Sequence, residues 1–255
     1  TQNPQQSPVI TVEAENPDQT ISVLPATNLS GSVAERTAKI RVTSGDESAV
    51  ADYQLVFEIL PQLDLYLLIG QSNMAGRGYF NEAAGDMNPV PDTYLFTPGF
   101  NWEIASNPLN KYSSIRKELS MQRIGPAYGF ALNVQGKTPN PVGLIVNAQG
   151  GSSMAQWTKG SIDGLYDKTL VRAKEAQKWG KIKAILWHQG ESNSSTSAVN
   201  AYPAQLKAMV DNFKTDLNEP NLFMVAGELA YWRSGGSGST AFNTMIRTIS
   251  TFIPN

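Results

Sequence analysis

Asp64-Leu65-Tyr66-Leu67-Leu68-Ile69-Gly70-Gln71-Ser72-Asn73-Met74-Ala75-Gly76 is an apolar run of strand length that breaks at Gly70 into a polar cluster holding one serine. A continuous apolar run of this kind fits a strand buried on both faces. The break presents Ser72 at the carboxyl end of that strand, where small residues resume from Ala75. Taken alone, a single Gly-x-Ser reads as an ordinary turn. Recurrence separates the two readings. Val142-Gly143-Leu144-Ile145-Val146 runs into Asn147-Ala148-Gln149-Gly150-Gly151-Ser152-Ser153, and Ile182-Lys183-Ala184-Ile185-Leu186-Trp187 into His188-Gln189-Gly190-Glu191-Ser192-Asn193. Leu222-Phe223-Met224-Val225-Ala226 ends the same way at Gly227-Glu228-Leu229.

Helical patterns separate these strands. Gly125-Pro126 starts one, because proline early in a helix lacks only an N–H that would be unpaired there. Residues 164–179 and 198–217 follow with apolar positions at helical spacing, and residues 240–252 form the last. Strands alternating with helices predict an α/β domain whose parallel sheet is covered on both faces. Right-handed crossovers gather the strand ends on one edge, where open α/β sheets bind ligands. The breaks at Ser72, Gly151 and Gln189 are therefore expected to meet.

Working outward, residues 79–110 carry glycine, proline, asparagine and aromatic residues without a period, and read as an irregular loop bordering the site. Residues 61–255 form the α/β domain. Residues 9–60 read as a small all-β module with runs at Val9–Val12, Ile21–Leu24, Ala38–Thr43 and Tyr53–Ile59, the last two joined as a hairpin through Ser44–Ser48. Leu55, Phe57 and Ile59 share one face of the last run. Residues 1–8 read as a polar linker.

The whole chain has 255 residues, 41% of them hydrophobic, and a formal charge of −2 from 20 basic and 22 acidic residues. This mixture provides no basic face for nucleic acid or anionic lipid and fits a neutral substrate such as a sugar. Absence of cysteine removes disulfides, zinc–thiolate sites and a cysteine nucleophile. No apolar run reaches bilayer length. The start at Thr1 and the β-rich front end lead to the expectation of a secreted, periplasmic or cell-surface protein.

Backbone N–H groups at a strand-to-helix turn can stabilise a developing oxyanion, and each such donor lowers the barrier by roughly 3 kcal/mol. Ser72 supplies a hydroxyl and an N–H at one such turn. Gly151, without a β-carbon, lets its N–H approach a ligand closely, and the Gln189 side chain is a third candidate donor. Glu191 reads either as an acid that orients a histidine or as a carboxylate at a helix start. Trp157 either lines a pocket or packs. His188, the sole histidine, reads as an oriented structural group rather than the base, and it joins Gln71 and Asn73, which flank the serine, and Trp157 as candidate substrate contacts. The glycine pair Gly150-Gly151 lacks the lysine and spacing of a P-loop, and Met74 stands where a nucleophile elbow has its final glycine. Asn28-Leu29-Ser30 and Asn193-Ser194-Ser195 match the glycosylation triplet, which chance also produces.

Taken together, Gly70-Gln71-Ser72-Asn73-Met74-Ala75-Gly76, Gly125-Pro126, Gly150-Gly151-Ser152 with Trp157, and Trp187-His188-Gln189-Gly190-Glu191-Ser192 resemble the successive blocks of the sialate O-acetylesterase-like branch of the SGNH/GDSL hydrolases. Carbohydrate esterase family six, with its acetylxylan esterases, shares them. Residues 9–60 resemble, more weakly, a bacterial immunoglobulin-like module. The main resemblance implies a three-layer α/β/α flavodoxin-like fold and cofactor-free, metal-free removal of acetyl groups from an acetylated carbohydrate. It implies Ser72 as nucleophile, the N–H groups of Ser72 and Gly151 with the Gln189 side chain as oxyanion hole, and Glu191 as the acid proposed in some members.

The family takes its general base from a histidine in an Asp-x-x-His block, which has no counterpart up to Asn255. Serine needs such a base. The expectation followed here is a chain cut short of that block and therefore impaired. A pseudoenzyme that binds acetylated glycans is the alternative, and His188 as base is a third.

Overall fold

The computed structural model describes residues 9–29, 31–57, 62–232 and 237–254. The stretch read as a linker, residues 1–8, together with Ile59 and Ser30 of the expectations above, lies outside them. Two compact units divide between Pro61 and Gln62.

In the first unit, β1 (Thr20–Leu24), β2 (Thr37–Thr43) and β3 (Val50–Val56) form an antiparallel sheet in the order β1-β2-β3. Register pairs Ile21 with Val42, Ile40 with Tyr53 and Ala38 with Leu55, so one face is apolar. Lys39, Arg41 and Asp52 fall on the other by the period of two, and Arg41 grips Asp52 through two bonds of 2.7 and 2.8 Å. The expected hairpin is present. Its turn is organised by Asp46, whose carboxylate accepts from the hydroxyls of Ser44 and Ser48, and these bonds hold the carboxyl down to about 2. Val9–Val12, expected as a strand, has no ladder partner among the described residues, and Val9 is almost fully exposed.

The second unit is built on a six-stranded sheet. Its strands are β4 (Leu63–Gly70), β5 (Thr93–Phe96), β6 (Trp102–Ile104), β7 (Val142–Ala148), β8 (Gly180–His188) and β9 (Phe223–Ala226). The order is β6-β5-β7-β4-β8-β9, parallel throughout except for the β5–β6 pair. Taking β4, β7, β8 and β9 as successive strands gives the order 2-1-3-4 of a flavodoxin-like sheet. β5 and β6 extend it beyond β7 and correct the reading of residues 79–110 as irregular throughout. Four- and three-residue strands amid glycine and proline are too short for periodicity to register.

Helices cover both faces. On one, α1 (Ser72–Ala75) and α2 (Pro126–Val134) contribute Met74, Ala75, Ala127, Tyr128 and Ala131 to a core with Leu68, Leu144 and Val146. On the other, α3 (Leu165–Ala176), α4 (Thr196–Asp216) and α5 (Ser237–Ile246) pack against Leu65, Leu67, Ile69, Ile145 and Ile185. Alternate residues of β4 thus feed opposite cores, which is why its sequence is apolar without interruption. The last expected helix is divided into α5 and a short α6 (Ile249–Phe252). The result is a three-layer α/β/α domain, with the polar breaks on one edge of its sheet.

Candidate active site

Each break is shaped by glycine. Gly70 ends β4 with φ +142°, and a Cβ there would stand 2.1 Å from the His188 carbonyl oxygen. Only glycine allows β4 and β8 to lie that close where the chain turns. From there the Gln71 N–H donates to the His188 carbonyl at 2.9 Å and the Gln149 N–H to the Gly70 carbonyl at 3.1 Å. Three strand ends are thereby tied together, on either side of the strand where the chain order reverses, which is where sheets of this order bind ligands.

Ser72 begins α1, half-buried. Neither its hydroxyl nor its N–H has a hydrogen-bond partner among the described residues, and the same holds for the N–H of Gly151. Gly151 has φ +73°, and a Cβ on neighbouring Gly150 would sit 3.7 Å from Ser72 Cβ. The first two blocks therefore touch. The third joins them through Asn73, whose Nδ2 donates to Glu191 Oε1, and through Gln71, whose Oε1 accepts from the Ser192 N–H at 3.4 Å. Asn73 is exposed beside the serine, whereas Gln71 is buried.

Gln189 has a different part from the one read in the sequence. It is completely buried. Its amide nitrogen donates to the Ser152 carbonyl at 3.0 Å and to Asn193 Oδ1 at 2.8 Å, and its Oε1 accepts from the Tyr202 hydroxyl at 2.7 Å. With both amide hydrogens engaged, it has no donor left for an oxyanion. It anchors the turn that carries Gly151. The network continues behind it: Trp187 Nε1 donates to the Tyr202 hydroxyl at 2.9 Å, and Asn193 Oδ1 accepts from the Met154 N–H at 3.0 Å. Burial pushes the Tyr202 phenol strongly upward, so it is a neutral donor at every ordinary pH.

Trp157 also sits in this frame. It is fully buried, donates from Nε1 to Ser152 Oγ at 3.0 Å and meets the Trp187 ring edge-on at 5.3 Å. It packs and lines no open surface, so its place among substrate contacts is corrected. His188 projects toward Gly227, where a Cβ would be 2.6 Å from the imidazole Cδ2. Its Nδ1 is buried without a partner.

Two cations at the rim were not among the site residues read in the sequence. Arg77 donates to the carbonyls of Gly76 and Met121 at 2.6 and 2.9 Å, and its Nη2 lies 2.7 Å from where a Gly150 Cβ would be. Burial lowers its pKa from the usual guanidinium value. Lys117 Nζ lies 3.8 Å from the corresponding position on Gly151. Arg77 stands one residue beyond the first block, which was the available signal. Lys117 comes from the region between blocks and gave none.

A family model described as carbohydrate esterase, sialic acid-specific acetylesterase, matches residues 62–254. The probable carbohydrate esterase At4g34215 of Arabidopsis thaliana is 30% identical over 194 residues, covering 69% of this chain and 72% of its own. The X-ray structure of that Arabidopsis protein superposes with a TM-score of 0.63 at 27% identity, over 74% of this chain and 82% of the other. NanS aligns at TM-score 0.59 and 16% identity over 78% and 77% of the two chains. XAC1771, a carbohydrate acetylesterase from Xanthomonas citri, aligns at 0.54 and 15% over 92% of this chain and 60% of its own. These last two likenesses concern the fold alone. With the strand-end serine, the glycine turn and the Gln-Gly-Glu block gathered at one sheet edge, and a family match spanning the whole α/β unit, this chain belongs to the carbohydrate esterase family of sialic acid-specific acetylesterases.

Proposed function

We propose that Ser72 removes acetyl groups from an O-acetylated sugar by acyl transfer. Ser72 Oγ attacks the acetyl carbonyl carbon, and the carbonyl oxygen takes up charge between the N–H groups of Ser72 and Gly151. Collapse breaks the ester bond and releases the sugar hydroxyl with its proton. Water then attacks acetyl-Ser72, giving acetate and the free serine. The observation that carries this reading is the pair of unpartnered N–H groups on touching turns, beside a hydroxyl that itself has no partner. Glu191 is held toward Asn73, the residue after the serine, at the same edge.

Within these 255 residues, the proton acceptor is the weak link. His188 faces Gly227, and its buried Nδ1 has no hydrogen-bond partner among the described residues. Loss of a triad base costs on the order of 10⁶ in turnover in a well-studied serine hydrolase. The 255-residue chain is accordingly proposed to deacetylate slowly while keeping its substrate site. Arg77 and Lys117 beside the glycine turn favour a sugar carrying a carboxylate over the neutral sugar that bulk charge favours, since a local field outweighs net charge at contact distance. Acetylated xylan is the neutral competitor. Export to the periplasm, cell surface or medium is consistent with such a substrate and is part of the proposal.

The test is acetate release from O-acetylated sialic acid and from acetylated xylan, by this chain and by Ser72→Ala. The expected result is slow release, faster on the acidic sugar and absent in the variant. Release that survives Ser72→Ala would refute the serine mechanism. Saturable binding of the acetylated sugar, with no release from either protein, would instead establish the glycan-binding reading.

A further inference from the structure

The α3 face of the α/β unit carries a second concave feature with unusual charge. A cavity of about 310 Å³ opens there, with Phe100 and Tyr112 as aromatic wall and Arg116, Lys168 and Arg172 as its charged groups. No aspartate or glutamate lines it. Its size is at the lower end for small-molecule sites.

None of the three cations has a carboxylate partner. Arg172 is only 3% exposed, and it spends Nη1 and Nη2 on the neutral carbonyls of Thr97 and Phe96, at 3.3 and 2.7 Å. Its Nε is buried with no partner. Arg116 donates to the Ser113 carbonyl at 2.8 Å and Lys168 to the Asp163 carbonyl at 3.2 Å. Among the described residues, none of the three takes part in an ion pair. A buried cation beside a like charge is costly unless an anion accompanies it. The cost registers in Arg172, whose pKa is brought down to about 10 by burial first and by Arg116 second.

The apolar side of the cavity is held in place. Phe100 has φ +59°, a backbone region that bulky residues rarely enter. Its ring stacks on Phe96 at 6.0 Å, and Phe96 lies under the Arg172 guanidinium at 5.1 Å. An aromatic face next to uncompensated cations matches a ligand with a ring on one side and a carboxylate on the other.

The cavity also shares a wall with the catalytic turn. Ser113 lines it and donates from Oγ to the Ala148 carbonyl, two residues before Gly150, at 3.2 Å. Lys117, one residue beyond Arg116, approaches Gly151.

We infer that this cavity is a second binding site, outside the catalytic turn, for the carboxylate of a sugar acid. Arg116 and Lys168 meet the carboxylate, Arg172 supplies the fixed charge beneath them, and Phe100 and Tyr112 take the sugar ring. An acidic glycan would thus be held beside the turn that carries Gly151.

Calorimetric titration of Ser72→Ala protein with sodium glucuronate, at constant ionic strength, tests this without requiring turnover. Glucuronate is expected to bind saturably and glucose not at all. Combining Arg116→Ala with Lys168→Ala is expected to weaken glucuronate at least tenfold with the thermal unfolding midpoint unchanged, while Arg77→Ala with Lys117→Ala removes at most a separate, weaker binding event at the glycine turn and leaves the main one in place. If the Arg77 and Lys117 pair abolishes binding and the Arg116 and Lys168 pair does not, the carboxylate belongs to the catalytic turn and the inference fails. It fails equally if glucose matches glucuronate. Acetate binding as tightly as glucuronate would show that the aromatic wall takes no ring, and would refute the sugar-acid assignment.

Discussion

Tyr202→Phe removes one oxygen from the buried network behind Gln189 and should be felt in both stability and site geometry. The hydroxyl accepts from Trp187 Nε1 at 2.9 Å and donates toward Gln189, 2.7 Å from its Oε1 and 3.0 Å from its carbonyl oxygen. Trp187, Tyr202 and Gln189 are all within 1% of complete burial, so water does not replace what is lost. The substitution strands the indole N–H and the amide oxygen. A buried group left unsatisfied costs about 1–3 kcal/mol, so two of them place the destabilisation at ~2–6 kcal/mol. In a domain of this size each kcal/mol lowers the midpoint by about 2–4 °C, so the middle of the energy range, about 4 kcal/mol, gives a drop of roughly 8–16 °C as the central expectation. Thermal unfolding followed by circular dichroism measures it. Tyr112→Phe, which removes one bond to the partly exposed Glu103, serves as the control and should change the midpoint by about 2 °C or less. A Tyr202→Phe midpoint within 2 °C of the parent would refute the claim that this network is closed and dry. Because Gln189 also holds the Ser152 carbonyl, binding of an acetylated sugar should weaken in the variant at temperatures where it remains folded.

Two further outcomes follow from the geometry. Gly70→Ala forces a side chain into φ +142° and to within 2.1 Å of the His188 backbone; it should cost more than about 3 kcal/mol, seen as loss of soluble protein or a much earlier urea transition. In the β module, the Asp46 carboxyl should titrate near 2 in a carbon-detected NMR titration. Its native pKa lies below its unfolded value, so its stabilisation of the turn is present above the unfolded pKa and fades as pH falls through about 2. Replacing Ser44 and Ser48 together by alanine should raise that midpoint toward the ordinary aspartate range.

How much of the site was legible depends on what each residue's role requires. That Ser72, Gly151 and Glu191 lie at one sheet edge could be read, because hydrophobic pattern locates strand ends. The Gln189 side chain could not, because its engagement depends on Tyr202 and Asn193, brought to it by α4 and by the turn after Gly190. Trp157 looks the same in sequence whether it lines a pocket or fills a core. The cations of the α3 cavity come from three separate stretches and carry no motif.

The sequence by itself determined the α/β architecture and the edge at which the blocks converge. Periodicity is local, and chain handedness makes its consequences global. Tertiary structure alone decided that β5 and β6 widen the sheet, that Gln189 is a strut, that His188 faces Gly227, and that Arg77 and Lys117 charge the rim. Those outcomes rest on which side chains distant in the chain come within hydrogen-bonding distance, and packing sets that distance.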